Sequence, residues 1–123
     1  MAESKRDILL RLLKGLGSIG NMEGSAIVTR DGLLIASDLS TDIDAETFAA
    51  MSATMIGAAE TAVGELKKGD VERVIVEGRG VKIITKGAGP NAVLVSMVSH
   101  DANLGLILVE MNKVADAVEK EMK

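Results

Sequence analysis

Hydrophobic side chains recur at helical spacing near the start of the chain. Residues 4–16 carry an apolar stripe on one side and charged residues on the other, which is the pattern of an amphipathic helix. Ser4 stands three positions before Asp7, in an arrangement close to an N-terminal capping box. The stripe consists of Ile8, Leu9, Leu12, Leu13 and Leu16. The pattern predicts a helix with one buried side, and the glycines that follow it indicate a loop.

Two short apolar runs follow this loop, at residues 25–29 and 33–37. They are joined by Asp31-Gly32, a pair that tight hairpin turns prefer because their backbone adopts positive φ. The spacing predicts a β-hairpin.

A long helix is predicted over about residues 44–68, with Thr41, Asp42 and Asp44 as candidate N-caps. On a wheel at about 100° per residue, one face is lined by Phe48, Met51, Met55, Ala59, Ala62 and Leu66. A second, separate face consists of very small residues, namely Ala49, Ala53, Gly57 and Gly64. A glycine inside a helix costs about 1 kcal/mol relative to alanine. We therefore expect another surface to approach this small-residue face closely.

Three further runs predict strands at 71–77, 81–86 and 92–98. The first two carry charged residues, whereas the third consists almost entirely of aliphatic residues and methionine. An uninterrupted apolar run is typical of a strand that is covered on both faces. The pattern therefore places 92–98 at the centre of the sheet and makes 71–77 a candidate edge strand.

The last segment repeats apolar residues at spacings of three and four. The stripe consists of Leu104, Leu108, Met111, Ala115, Val118 and Met122. Residues 104–109 alone would also suit a strand, but the continuing stripe favours a helix with Asp101 or Asn103 as its cap. The predicted order is α-β-β-α-β-β-β-α. The fold class is therefore α/β (α+β), with a five-stranded antiparallel sheet between layers of helices.

The composition excludes several classes of function. The 123 residues suit one domain, residues 1–123, with an aliphatic core in which Phe48 is the only ring. The absence of cysteine excludes disulfides, thiolate metal sites and cysteine nucleophiles. The net charge of −4 and the 1% aromatic content argue against nucleic-acid binding. No apolar stretch approaches the roughly 20 residues of a membrane span, so we expect a cytoplasmic protein without membrane insertion.

The sequence offers few candidates for chemistry. The glycines at 78, 80, 87 and 89 lack the third glycine of a dinucleotide fingerprint and the lysine of a P-loop, and they suit hairpin turns. His100 beside Asp101 could suggest a base and its orienting carboxylate, but the pattern favours a helix cap at Asp101 and a solvated His100. The acidic residues between 38 and 46 lack the spacing of a calcium loop. We expect no catalytic residue, no cofactor and no metal.

A protein interface is the function that the pattern favours. An uncovered edge strand invites pairing with a second copy, and a two-fold axis would bring the small helix faces together beside it. The predicted homodimer interface consists of Ala49, Ala53, Gly57, Gly64, Val71, Arg73 and Ile75. Alternatively, the small residues pack under a loop of their own chain or are simply exposed.

The chain resembles the Roadblock family, the dynein light chain and small-GTPase regulator family. The resemblance rests on the order of elements, on the opening hairpin GSAIVTRDGLLIAS at 24–37, on the alanine-rich middle helix and on NLGL at 103–106. It implies profilin-like layers, with the middle helix on one face of the sheet and the terminal helices on the other. It also implies a homo- or heterodimer that joins the middle helices and the third strands.

The resemblance further implies a non-enzymatic regulator or scaffold. Such proteins bind Ras-like small GTPases near the middle helices, or act as adaptors in motor complexes and other assemblies. On this chain the possible docking residues are Thr54, Glu60 and Thr61. A small-ligand sensing domain is the remaining alternative, and it would require a pocket with convergent polar groups.

Overall fold

The computed structural model describes residues 3–123 and contains all eight predicted elements in the predicted order. They are α1 (Lys5–Gly17), β1 (Met22–Val28), β2 (Leu34–Asp38), α2 (Ala45–Leu66), β3 (Val74–Glu77), β4 (Val81–Gly87), β5 (Val93–Ser99) and α3 (Leu104–Glu121). The largest difference from the prediction lies at β3, which begins at Val74 rather than at 71. No helix among residues 3–123 is long and apolar enough to cross a membrane.

Each helix begins at a polar side chain that accepts a hydrogen bond from a backbone N–H of the first turn. Ser4 caps α1 and Asp44 caps α2. At α3 the cap is Asn103, whose Oδ1 accepts the N–H of Leu106 at 3.2 Å. Asp101, the other candidate, instead accepts a hydrogen bond from the hydroxyl of Ser99. These caps satisfy N–H groups that have no partner inside the helix.

The five strands form one antiparallel sheet in the order β2-β1-β5-β4-β3. The central position of β5 and the edge position of β3 confirm the prediction from their apolar and charged patterns. The turn between β1 and β2 contains Gly32 at φ +91°, a conformation that glycine adopts without strain.

Helices cover both faces of the sheet. Because side chains alternate along a strand, Ile27 and Leu94 project toward α1 and α3, whereas Ala26 and Val95 project toward α2. The core beneath α1 and α3 is the larger of the two and includes Leu9, Leu13, Ile107 and Met111. A single helix, α2, therefore covers the second face, and β3 ends the sheet beside it.

Candidate protein-interaction surface

The helix α2 packs on the sheet through three small side chains and one isoleucine. The residues buried against the sheet are Ala49, Ser52, Ala53 and Ile56. Their neighbours on the strands are larger, and include Val28, Val93 and Val95. Small residues on the helix opposite large residues on the sheet allow the two layers to interdigitate at close distance.

This packing corrects the predicted interface at two positions. The side chains of Ala49 and Ala53 are 0% and 7% exposed, and both pack inside their own chain. A second copy cannot contact them on the surface. The prediction that all four small residues contact a partner is therefore wrong for Ala49 and Ala53, which pack on the sheet together with Ser52 and Ile56.

Gly57 and Gly64, the other two small residues, lie on one flank of α2. Outside the adjacent turns of α2, a Cβ atom added at either position would meet no atom of residues 3–123 within 4 Å. Gly64 lines a cleft together with Arg30, Glu60 and Lys86. Gly64 therefore borders a polar cleft, and at neither glycine does the described part of the chain approach closely.

The outer side and opposite flank of α2 form an apolar stripe in contact with solvent. Met51 and Leu66 are 53% and 66% exposed. The stripe consists of Met51, Met55, Ala58, Ala62 and Leu66, and we call it the α2 stripe. Solvent-exposed helices normally carry polar residues on this side, so the stripe is a candidate contact surface.

A second exposed apolar region lies on the edge strand. Ile75 and Val76 of β3 are 36% and 38% exposed. Val71 and Arg73, also predicted for the interface, are partly buried in the segment that leads into β3. One side of β3 pairs with β4, and the other side forms the edge of the sheet.

The predicted docking residues differ in their surroundings. Thr54 and Thr61 are exposed on α2, and their hydroxyls donate to the carbonyl oxygens of Ala50 and Gly57, at 2.9 and 3.1 Å. These hydroxyls can therefore accept a hydrogen bond from a partner, but their protons are already engaged. Glu60 is different because it forms an ion pair within the chain.

The partner of Glu60 is Arg30, which the sequence analysis did not single out. Arg30 Nη1 donates to the two carboxylate oxygens of Glu60 at 2.9 and 2.8 Å, and Nη2 donates to the carbonyl of Gly89 at 2.9 Å. The guanidinium passes directly over Gly87, where an added Cβ would lie 2.7 Å from Nη2. Arg30 thus connects β1, α2 and the β4–β5 turn.

Residues 8–97 match the sequence model of the Roadblock/LC7 domain. The chain belongs to the Roadblock/LC7 domain family. An uncharacterised protein of Methanocaldococcus jannaschii is 37% identical over 109 residues, which span 89% of this chain and 95% of the relative. The predicted family resemblance is therefore confirmed.

Solved structures confirm the fold of this Roadblock/LC7 domain. A structure of MglB with a tetrameric arrangement superposes with a TM-score of 0.87 at 16% identity, and it covers 98% of this chain and 92% of the other. Profilin II of Acanthamoeba castellanii superposes with a TM-score of 0.60 at 19% identity, with coverage of 98% and 100%. The profilin-like layers predicted for the Roadblock/LC7 domain are thus present.

The titratable groups near the helix starts have simple structural partners. The N–H and the hydroxyl of Thr47 both donate to Asp44, and they hold the pKa of this carboxyl below its ordinary value. The hydroxyl of Ser99 lowers the pKa of Asp101 in the same way. His100 is exposed. Among residues 3–123, no group of three or more histidine, aspartate or glutamate side chains is placed to hold a metal ion.

Proposed function

We propose that this Roadblock/LC7 domain is a non-enzymatic homodimer that binds a Ras-like small GTPase and modulates its nucleotide state. The observation that carries the proposal is the exposed apolar surface formed by the α2 stripe and the edge strand β3. Family membership supports the choice of partner. The two parts of the proposal, dimerisation and GTPase binding, have separate experimental tests.

Dimerisation is supported by the position of the exposed apolar residues. Met51 and Leu66 on α2 and Ile75 and Val76 on β3 lie on elements that contact each other. A free sheet edge exposes backbone N–H and C=O groups that a second strand can pair with. A two-fold axis beside β3 would extend the sheet and bring the two α2 stripes together, so that one symmetric contact would cover both regions.

A regulatory function is supported by the way the polar groups are used. The charged side chains that line the cleft beside α2 are Arg30, Glu60, Asp70, Glu72 and Lys86. Arg30 and Glu60 bind each other, and Lys86 Nζ donates to the carbonyl oxygen of Glu72 at 3.4 Å. His100 and Asp101 lie in the turn before α3, and the carboxylate of Asp101 accepts the Ser99 hydroxyl. General acid–base catalysis requires a titratable group that is free to exchange a proton with a substrate held in a pocket. At these two places the carboxylates of Glu60 and Asp101 are engaged in contacts within the chain, which favours a binding function over acid–base chemistry.

The proposed GTPase contact lies on the outer surface of α2. In the proposed dimer, Thr54 and Thr61 remain open to solvent beside the two joined α2 stripes. A regulator shifts the nucleotide state of a GTPase only if it binds the GTP-bound and GDP-bound forms with different affinities. We therefore expect unequal binding of the two forms.

The test uses a purified Ras-like small GTPase loaded with GDP or with a non-hydrolysable GTP analogue. Binding to the full chain is measured by biolayer interferometry, and nucleotide turnover and exchange are measured in parallel. Thr54→Arg and Thr61→Arg should weaken binding, whereas Lys14→Glu on α1, at the opposite face of the sheet, should leave it unchanged. Equal affinity for the two forms, with unchanged nucleotide turnover and exchange, would contradict a regulatory function and favour a passive adaptor function. No binding in either state would overturn the GTPase partner.

A further inference from the structure

The edge strand carries two opposite charges placed symmetrically about Ile75. Arg73 lies two residues before Ile75, and Glu77 lies two residues after it. Within the sheet, Ile75 opposes Ile84 and Glu77 opposes Lys82 on β4. Ile84 belongs to the core beneath α1 and α3. Because side chains alternate along a strand, Ile75 and Glu77 project from this face, and an extended continuation would place Arg73 there also.

The backbone groups of these residues point toward the free edge. The N–H of Gly78 donates to the carbonyl of Val81 at 2.8 Å, and this bond closes the β3–β4 hairpin. In an antiparallel ladder, consecutive residues direct their N–H and C=O groups alternately to one side and the other. Counting back from Gly78, Glu77 and Ile75 therefore direct theirs away from β4. A strand beside this edge would pair with these groups.

Symmetry limits how a second copy can pair with β3. Two identical antiparallel strands in one sheet are related by a two-fold axis perpendicular to the sheet, and opposed residues project from the same face. The axis must then lie midway between the two copies of one residue, which oppose each other, since a shift of one residue would oppose side chains from different faces. We name each register by that residue. An axis at Glu77 would oppose the two copies of this glutamate, so the candidates within β3 are Val74, Ile75 and Val76.

The charges distinguish these three registers. With the axis at Val76, Arg73 would oppose Arg79 of the second copy, and like charges would repel. With the axis at Val74, Arg73 would oppose an isoleucine. With the axis at Ile75, Arg73 opposes Glu77 of the second copy, and this pairing occurs twice in the dimer.

We infer that the dimer pairs in the register centred on Ile75, and that ion pairs between Arg73 and Glu77 of the two copies select this chain as its own partner. The inference rests on the proposed dimer and specifies which residues determine its register. On the other face of the sheet, the same register opposes Val74 of each copy to Val76 of the other. Both faces of the join are then complementary.

Arg73 is well placed for this role. Its Nε is buried and has no hydrogen-bond partner among residues 3–123. Its Nη1 lies 3.6 Å from a carboxylate oxygen of Glu72, whose side chain is 79% exposed, so the contact is a weak surface pair. A carboxylate of a second copy would give the half-buried guanidinium a better partner.

A charge exchange between two variants tests the register. In Arg73→Glu each dimer would contain two opposed pairs of glutamates, and in Glu77→Arg two opposed pairs of arginines. Each variant alone should have a dimer dissociation constant raised roughly tenfold or more. In a mixture, Arg73→Glu and Glu77→Arg restore both ion pairs, so we expect mainly heterodimers. Native mass spectrometry with one variant labelled with ¹⁵N measures their fraction.

The matched control is Arg79→Glu, which makes the same charge change in the β3–β4 turn. It should leave the dissociation constant unchanged, whereas tighter dimerisation would indicate the register centred on Val76 and overturn the inference. Random mixing of the two test variants with unchanged affinity would also overturn it, while the dimer itself would stand. A monomeric unmodified chain would instead refute the proposed dimer. Circular dichroism melting of each variant shows whether loss of affinity reflects unfolding.

Discussion

Arg30 Nη1 bonds to both carboxylate oxygens of Glu60, at 2.9 and 2.8 Å, and thereby attaches the end of β1 to α2. The two residues are 30 positions apart in the sequence. Their side chains are partly exposed, so the ion pair by itself contributes no more than about 1 kcal/mol. Its main consequence is geometric, because it fixes the guanidinium over the β4–β5 turn.

The close approach of this guanidinium to Gly87 gives the first prediction. An alanine at 87 would place its Cβ 2.7 Å from Arg30 Nη2, so the guanidinium must move away from Glu60 and Gly89, and Gly87→Ala should lower the free energy of unfolding by about 1 kcal/mol. In the Arg30→Ala background the same substitution should cost less than about 0.5 kcal/mol. Urea denaturation of the four chains measures the coupling, and equal costs in both backgrounds would contradict the contact.

Gly57 gives a prediction of opposite sign. Its Cβ position is open, and it lies in the middle of α2, where glycine is unfavourable. Gly57→Ala should raise the free energy of unfolding by about 1 kcal/mol. Gly32→Ala is the control, since φ is +91° and the added Cβ would lie 3.1 Å from Ala50 Cα, and it should destabilise the protein. Thermal melting distinguishes the two, and a destabilised Gly57→Ala would show that another group occupies this flank.

The hydrogen bonds to Asp44 predict an acid-dependent loss of stability. They hold the pKa of the carboxyl below 3.8 in the folded protein, so the stabilisation is complete above the pKa of the unfolded chain. It is lost as the pH falls through the folded value. Asp44→Asn keeps an acceptor but removes the titration, so its stability should change less between pH 5 and pH 2 than that of the unmodified chain.

The reciprocal variant is Asn103→Asp, which places a carboxylate at the cap of α3. It should add acid dependence that the unmodified α3 lacks. Urea titrations across the same pH range measure both effects. Identical pH profiles for Asp44→Asn and the unmodified chain would contradict the role of Asp44.

The sequence predicted the architecture well because each element carries its own signal. Short stretches of the sequence are enough to predict the five strands and three helices. They also predict the central position of β5 and the edge position of β3. No local pattern of this kind shows which side of α2 packs on the sheet. Both sides of the helix are apolar, and only the space left by the valines of the sheet decides that Ala49 and Ala53 pack inward.

The contacts of Arg30 could not be read from the sequence for a related reason. Its partners Glu60 and Gly89 are distant along the chain, and they come together only because β1 and β5 pair and α2 crosses the sheet. A lone arginine after a strand gives no local sign of this arrangement. The glycine at 87, by contrast, was noticed but interpreted only as part of a turn.

The exposure of Met51 predicts its effect on association. It lies on the α2 stripe, so Met51→Glu should raise the dimer dissociation constant roughly tenfold or more while the fold remains intact. Leu33→Glu is the matched control, because Leu33 is 67% exposed at the β1–β2 turn, away from the α2 stripe. Sedimentation velocity measures both constants. Equal effects of the two substitutions would place the interface elsewhere.

Dimerisation through β3 and the α2 stripe is the claim on which the proposed function depends, and the mass in solution tests it most directly. Multi-angle light scattering at micromolar concentration should give the unmodified chain twice its 12.8 kDa mass. Ile75→Arg, at the centre of the proposed strand pairing, should shift the mass toward one chain. A mass of one chain for the unmodified protein, or an unchanged dimer for Ile75→Arg, would contradict the account.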